Sequence, residues 1–490
     1  MIGRVGEWRP TVTEATRLPP PSPARPAFDA PGLAAASGGR LLRSGARPIR
    51  GAAVDSRLIE PGNLFVALPG ARTDGHRFLD AAVTAGASGL LVSQAPDAAA
   101  LDRLGDTTVV LVDDGLAALG RVAAAWRGRF RPLVVGVTGS VAKTSTKEAI
   151  AAVLRTTREV LANEGNQNNE VGLPLTLLRL GPTTQAAVLE MGMYVEGDIA
   201  HLAALARPAI GVVTAVRSVH LMRAGSMAAI EREKGRLVEA LPSGGTAILN
   251  ADDPLVAAMR GRTQAAVVTY GFGPGADVTA REVVARGVDG MAFRLIAGGV
   301  DVPVRIAALG RHNVHNALAA AAVGLAAGID PAAITAGLAS PWGAPHRSTL
   351  LRAGPWLVVD DTYNAGPDSM AAALDMLADL PGRRVAVLGE MLELGPGGPA
   401  AHREVGRRAA GIAALLVTVG DGALETAAAA RSAGLSADAI HHVADAAAAS
   451  RLLLPLLQPA DTILVKGSHD VALEAVVADL ARAGAKRRPA

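Results

Sequence analysis

The sequence predicts an α/β protein of three domains. A central P-loop parallel sheet is flanked by a small N-terminal α/β domain and a C-terminal Rossmann-like domain. Three observations carry this. The chain has 490 residues, and at roughly 100–200 residues per domain that points to about three. Apolar strand-like runs alternate with helical patterns along most of it, the mark of a parallel sheet wound with helices. The stretch from Arg131 to Thr157 reads as a strand, a glycine-containing loop with Lys143 and Thr144, and a helix.

In chain order, residues 1–37 are rich in Pro, Ala and Arg (PPPSPARP) and are expected to be disordered or loosely ordered. Residues 38–132 alternate short apolar runs (NLFVAL, DAAVTAGASGLLV, TTVVLV) with Gly and Asp turns, as a small α/β domain does. Residues 133–340 hold the loop-and-helix unit and then AAVLEMG, AIGVVTAV, SMAAIEREKGRLVEAL, TAILNAD and AAVVTYG in alternation. A Pro/Gly/His loop from Pro341 to Arg347 breaks the pattern. Residues 341–490 restart it with WLVVDD, RRVAVLGEM, ALLVTVG and DTILVKG, each followed by a helical stretch, as in a Rossmann-like open sheet. No internal repeat is visible, and the alanine runs read as helix filler.

Composition narrows the function. Half the residues are hydrophobic but only 3% are aromatic, so cores must be built from Ala, Val and Leu. The absence of cysteine excludes disulfides, thiolate metal sites and cysteine nucleophiles, and fits a cytoplasmic protein. No apolar stretch reaches the 18 or so residues of a membrane span, and MIGRVGEWRP lacks the apolar core of a signal peptide. The net charge is +3, with no basic stripe interleaved with aromatics, which argues against nucleic acid. Of 48 basic side chains only five are lysine: Lys143, Lys147, Lys234, Lys466 and Lys486. Lysine is a slim point charge whose pKa moves readily, unlike arginine. Those retained are candidates for chemistry, apart from Lys486 in the charged tail.

The loop Thr138-Gly139-Ser140-Val141-Ala142-Lys143-Thr144-Ser145 can point backbone N–H groups and a helix N-terminus at a nucleotide phosphate. Lys143 would reach the β- and γ-phosphates and Thr144 would ligate Mg²⁺. The strict pattern G-x-x-x-x-G-K-[ST] is not met, because Val137 and Ala142 hold its glycine positions. A plain glycine turn with a surface lysine is therefore the alternative. If position 142 is left-handed, alanine costs about 1–2 kcal/mol there.

With the loop placed, the chain resembles the Mur ligases, whose loop reads TGSNGKT where this one has TGSVAKT. The resemblance continues in order. NEGNQNNEVGLPLTLL is similar to the family's N-x-N-N-x-x-G-x-P-x-T segment. There follow LEMGMYVEGDIAHL with Glu190, VRSVHLMRAGS with His220, EREKGRLVEAL with Lys234, LNADDP, LGRHNVHNALAA with Asn313 and Asn316, DDTYNAGPDSM, LGEMLELG and LVKGSHDVALE. In the N-terminal region, DSRLIEPGNLFVALPGARTDGHRFLDAA resembles the part that binds UDP-N-acetylmuramoyl-peptide. DDTYNAGPDSM and LGEMLELG are similar to those of members that add D-alanyl-D-alanine to UDP-N-acetylmuramoyl-tripeptide. The resemblance implies these two substrates, ATP, one or two Mg²⁺ ions, and a monomeric enzyme without nucleic-acid or membrane-spanning parts. The folylpolyglutamate and diamino-acid-adding relatives remain rivals, as does an ATP-binding switch or scaffold that ligates nothing.

An amide made from a carboxylate at neutral pH needs an activated acyl group, which ATP supplies as an acyl phosphate. Bringing two anions together requires cations, here Lys143 and Mg²⁺. Thr144 and Glu190 are oxygen ligands suited to Mg²⁺, and Glu190 follows a strand, where open sheets bind ligands. As a bare strand-end residue it could equally cap a helix. By resemblance His220 supports a second metal, against a structural reading for a lone histidine. Lys234 matches the lysine that the family carbamylates, which requires a depressed pKa such as burial provides. The alternative is a solvated lysine paired with Glu231 or Glu233.

Asn313 offers a donor and an acceptor to adenine, braced by Asn316, or else caps a helix. Arg347 and Asp361 would reach the nucleotide on domain closure. Tyr363, Asn364, Ser369 and Lys466 would line the dipeptide side. Asn166, Asn168, Asn169 and Thr176 (in the turn beyond) would meet sugar or peptide, and Asp55, Ser56 and Arg57 the uridine end. Each of these also reads as an ordinary turn or loop residue. Ala142, Gly366, His346 and His469 depart from the family's usual Gly, Asn, Gly and Arg, which touches peptide or dipeptide contacts and leaves the reaction type intact.

Overall fold

The computed structural model describes residues 27–70, 73–217 and 226–486. His220 and the first 26 residues lie outside them. The α/β expectation is met: among the described residues there are three sheets, mostly parallel, with helices between their strands.

The first sheet contains β1 (Arg40–Arg43), β2 (Ala52–Ala53), β3 (Leu64–Val66), β4 (Gly89–Val92) and β5 (Thr108–Leu111), in the order β1-β5-β4-β3-β2. Only β1 is antiparallel, paired at the edge with β5. The reading of residues 1–37 as disordered or loosely ordered is corrected for residues 28–37. Ala30–Ser37 is a helix, N-capped by Asp29, whose side chain accepts from the Gly32 amide at 2.8 Å. Gly38, at φ 68°, ends it. Phe28 and Leu33 are buried, and Phe28 meets Trp126 at 5.3 Å between ring centroids. The Pro/Ala/Arg composition hid a short capped helix that packing completes.

The central sheet runs through β6 (Leu133–Thr138), β7 (Val160–Ala162), β8 (Ala186–Glu190), β9 (Ile210–Val213), β10 (Thr246–Asn250), β11 (Ala266–Tyr270), β12 (Val278–Ala285), β13 (Met291–Ala297) and β14 (Val300–Ile306). Its order is β14-β13-β12-β11-β10-β9-β6-β8-β7. The chain crosses from one side of β6 to the other between β8 and β9, so the crevice for a ligand opens at the carboxyl ends of these three strands. The purely parallel expectation is corrected at one edge, where β12, β13 and β14 form an antiparallel meander. Strand β13 alternates buried and half-buried residues, and Gly298-Gly299, both at positive φ, turn it tightly into β14.

The alanines of helix Arg311–Ala326 are more than filler. Ala317 and Ala319 to Ala322 are fully buried, and their small side chains let this helix pass through the core against helix Lys143–Arg155.

The third sheet comprises β15 (Thr349–Ala353), β16 (Trp356–Asp361), β17 (Arg384–Gly389), β18 (Leu415–Val419), β19 (Ile440–Val443) and β20 (Thr462–Lys466), in the order β15-β16-β20-β17-β18-β19. It is parallel except for the β15 edge. The cores are divided unevenly. One apolar cluster joins Phe28, Ile49 and Val110 to Trp126, Leu189 and Leu202, spanning the first and central sheets. The third sheet has two clusters of its own, one of which Leu309 alone among the described residues joins from the central unit.

Candidate active site

Strand β6 delivers the chain into a tight loop. Gly139 adopts φ 153°, and a Cβ there would lie 1.8 Å from Thr214 Oγ1, so only glycine fits. Ser140 N donates to Ala215 O at 2.8 Å, Thr214 Oγ1 to Val141 O at 2.6 Å, and Thr138 Oγ1 to Met191 O at 2.9 Å. Ala142 is left-handed, at φ 66°, and stands at the N-cap of helix Lys143–Arg155. The conditional cost of alanine therefore applies, about 1–2 kcal/mol. Val141 and Ser145 are half-buried beside it. The first turn of the helix has no side-chain cap, so its backbone N–H groups open toward the loop.

Glu190 is the last residue of β8, in register with Val137, and is 3% exposed. Its Oε2 accepts from Thr144 Oγ1 and its Oε1 from Asn168 Nδ2, each at 2.7 Å. Glu190 N donates to Asn163 Oδ1 at 2.9 Å, and Asn163 Nδ2 returns a bond to Glu190 O at 3.1 Å. Buried Lys147 donates to the Asn163 carbonyl. Glu190 is thus clamped through side chain and backbone, and it caps no helix.

Lys143 and Lys234 line one pocket with Gly139, Ser140, Asn168 and Tyr194. Burial lowers the pKa of Lys143; Glu190 opposes that and Arg347 adds to it. Lys234 is 3% exposed. Burial first, and the charge of Lys143 second, push its pKa well below the ordinary lysine range, against an opposing pull from Glu233. The solvated Lys234–Glu pairing is overturned. Glu233 points elsewhere, accepting from Gly197 N at 3.0 Å and Ile199 N at 2.7 Å.

Asn313 and Asn316 are buried and tied into one chain. Thr146 Oγ1 donates to Asn316 Oδ1 at 3.1 Å, Asn316 Nδ2 to Asn313 Oδ1 at 2.9 Å, and Asn313 Nδ2 to Leu309 O at 2.8 Å. They fasten the P-loop helix to helix Arg311–Ala326.

Across the cleft, Lys466 Nζ pairs with Asp361 Oδ2 at 2.7 Å and donates to Asn364 O at 2.9 Å. Asp361 Oδ1 accepts from Ser348 N at 3.0 Å. The Arg347 guanidinium lies 3.9 Å over the Tyr363 ring, whose centroid is 6.2 Å from that of His469. Arg347 Nε is buried and has no hydrogen-bond partner among the described residues. Asn364 is exposed.

Three substrate assignments are corrected. Thr176 is fully buried inside helix Gly172–Leu177, not in a turn, and donates to Gly172 O at 2.9 Å. Ser369 Oγ exchanges hydrogen bonds with the Gly366 amide and carbonyl, both at 3.0 Å, and caps helix Pro367–Ala378. Asn169 likewise bonds back to the chain, its Oδ1 accepting from Gly172 N at 2.9 Å at the start of that helix. Asn166 is exposed on the loop and Asn168 is held on Glu190. Asp55 caps the short turn Ser56–Leu58. Arg57, bonded to it at 2.6 Å, holds its carboxyl down to about 2.

Sequence reasoning gave no role to Asn163, Thr146 or Thr214. It singled out Lys147 only as a retained lysine. Among the described residues no group of three His, Asp or Glu is gathered for a metal.

This junction of a phosphate loop, a clamped carboxylate and buried lysines has known counterparts. The descriptions "Mur ligase family, catalytic domain", "Mur ligase middle domain" and "Mur ligase, glutamate ligase domain" match residues 48–127, 137–324 and 346–469. The chain belongs to the Mur ligase family. It is 39% identical over 431 residues to the UDP-N-acetylmuramoyl-tripeptide–D-alanyl-D-alanine ligase of Synechocystis sp., covering 87% of this chain and 90% of the relative. Crystal structure I of MurF from Acinetobacter baumannii aligns with TM-score 0.83 and 30% identity, over 94% of this chain and 99% of that one. The MurF ligase of Thermotoga maritima in complex with ADP aligns with TM-score 0.77 and 27% identity, over 89% and 98%.

Proposed function

We propose that the chain ligates D-alanyl-D-alanine to UDP-N-acetylmuramoyl-tripeptide with ATP, giving the UDP-pentapeptide of peptidoglycan synthesis, ADP and phosphate. The observation that carries the chemistry is the junction of the P-loop, Glu190, Lys143 and Lys234 at the carboxyl ends of β6 and β8.

The tripeptide carboxylate attacks the γ-phosphorus, ADP leaves, and the dipeptide amine displaces phosphate from the acyl phosphate. The first step brings two anions together. Lys143, half-buried at the P-loop, lowers that repulsion, and the first-turn amides of its helix add donors. Thr144 Oγ1 and Glu190 Oε2, 2.7 Å apart, are an oxygen pair of the kind Mg²⁺ prefers. Mg²⁺ held there would neutralise charge on the phosphates. His220 is assigned to a second ion on its motif alone. Lys234 contributes through its depressed pKa, since a neutral amine reacts with CO₂, losing a proton to give a carbamate anion beside Lys143.

Arg347 and Asp361 serve the nucleotide from the C-terminal unit, and Tyr363, Asn364 and Lys466 the dipeptide. Asn313, braced by Asn316, is assigned to adenine, and their bonded chain ties it to the P-loop helix. Asn166 and Asn168 face the peptide end, and Asp55, Ser56 and Arg57 the uridine end. The reading extends to a monomer in the cytoplasm, tested by light scattering at one subunit mass.

Phosphate release tests the function. With ATP, Mg²⁺ and UDP-tripeptide, release should require D-alanyl-D-alanine and fall about 10²–10³-fold or more in Lys143→Ala. Release that ignores the dipeptide would sink the reading.

A further inference from the structure

Arg217 lies just beyond β9 and has no part in the chemistry above. Its backbone N–H donates to Ser140 Oγ at 2.9 Å, and its carbonyl accepts from the same hydroxyl at 3.1 Å. Arg217 is therefore fastened to the P-loop. Its guanidinium reaches two carboxylates on opposite sides of the cleft. Nη1 meets Asp253 Oδ2 at 2.5 Å and Nε meets Asp368 Oδ2 at 2.8 Å. Asp253 is 1% exposed in the central unit and is fixed by the amides of Leu255 at 3.0 Å and Val256 at 3.3 Å. Asp368 belongs to the C-terminal unit, in the first turn of helix Pro367–Ala378, shortly after Tyr363 and Asn364.

An isolated exposed ion pair contributes little, because two long side chains must be ordered against solvent screening. Here the arginine backbone is already held by Ser140 and one carboxylate is already buried, so only Asp368 has to be brought into place. A planar fork can satisfy two carboxylates at once, which a lysine point charge cannot do equally well.

We infer that Arg217 is a positioning residue that holds the C-terminal unit against the P-loop, so that the dipeptide side is set by the state of the nucleotide side. This rests on the ligase reading for its kinetic arm only. Asp368→Asn alters an exposed side chain and should raise KM for the dipeptide about three-fold, leaving KM for ATP and the melting temperature unchanged. Arg217→Gln should give a larger rise and Arg217→Lys an intermediate one. The double variant Arg217→Gln/Asp368→Asn should be no worse than Arg217→Gln alone. Additive losses, or equal rises in both KM values, would overturn the inference. Scattering gives an independent arm. With a non-hydrolysable ATP analogue and UDP-tripeptide bound, Asp368→Asn should have a larger radius of gyration than the wild type, and an equal radius would overturn the inference. A wild type that ligates no dipeptide would sink the ligase reading and leave the scattering to decide. If Arg217→Gln does not fold, Asp368→Asn and Arg217→Lys carry both arms.

Discussion

The cleft at the ends of β6 and β8 and the turn at Asp55–Arg57 are assigned to two ends of one extended substrate, yet they are built in opposite ways. In the cleft, Glu190 and Lys234 are each 3% exposed, every Glu190 oxygen has a partner, and the lysines are pushed away from ordinary titration. In the turn, the Arg57 side chain is 86% exposed and leans on its own neighbour. On the proposed assignment, the difference is one between chemistry and recognition. Reacting charges act strongly only where water is excluded and geometry is fixed beforehand. A nucleotide end that only needs to be recognised can use exposed groups that adapt to it, at the cost of screening by salt.

Lys234 should break the comparison most visibly after Lys143. A lysine whose folded pKa lies below its ordinary 10.5 takes up a proton on unfolding in the window between the two values. Its burial therefore opposes folding fully below the folded pKa, and progressively less as pH rises toward 10.5. In bicarbonate-free buffer, Lys234→Met should melt higher than wild type at pH 7, and the gap should narrow by pH 10. The same variant should lose most of its phosphate release. A variant that is active and no more stable would show that Lys234 is an ordinary core residue.

Arg57→Ala should act on recognition alone, raising KM for the UDP substrate about five-fold with kcat unchanged, and less so in high salt. A fall in kcat would mean that the turn reaches the chemistry. The smallest effect belongs to Asp252, held near 2 by His315 and the amides of Phe272 and Gly273. A carboxyl with a depressed folded pKa adds stability above its ordinary 3.8 and loses it as pH falls through 2. Asp252→Asn should therefore be slightly less stable than wild type at pH 7, by less than about 1 kcal/mol, with the difference closing between pH 4 and 2. A constant difference would assign the loss to packing.

Spacing along the chain made the P-loop legible, because Lys143 and Thr144 follow a strand and open a helix. Glu190 was legible at the end of a strand. The sequence did not show where a polar side chain turns. Asn169, Thr176 and Ser369 look like ligand-facing residues but bond back to nearby backbone, as short polar side chains readily do. The burial of Lys234 was hidden too. Only tertiary packing shows that Glu233 turns to the Gly197 and Ile199 amides while Lys234 turns to the pocket. The β12–β14 meander carried a signal in Gly298-Gly299 between two alternating runs. The helix before Gly38 had Asp29 and Pro31 to announce it, within a stretch whose composition suggested disorder.

The apolar cluster that joins Phe28 and Val110 to Leu189 and Leu202 bears on modularity. Three sheets suggest three interchangeable parts, but a cut between β5 and β6 would split the cluster they share, although each side also keeps a cluster of its own. The chain is divided two plus one. The first and central sheets are tied together by a shared cluster, while the C-terminal sheet is packed on clusters almost wholly its own, so it is the part that truncation can most readily treat as a unit.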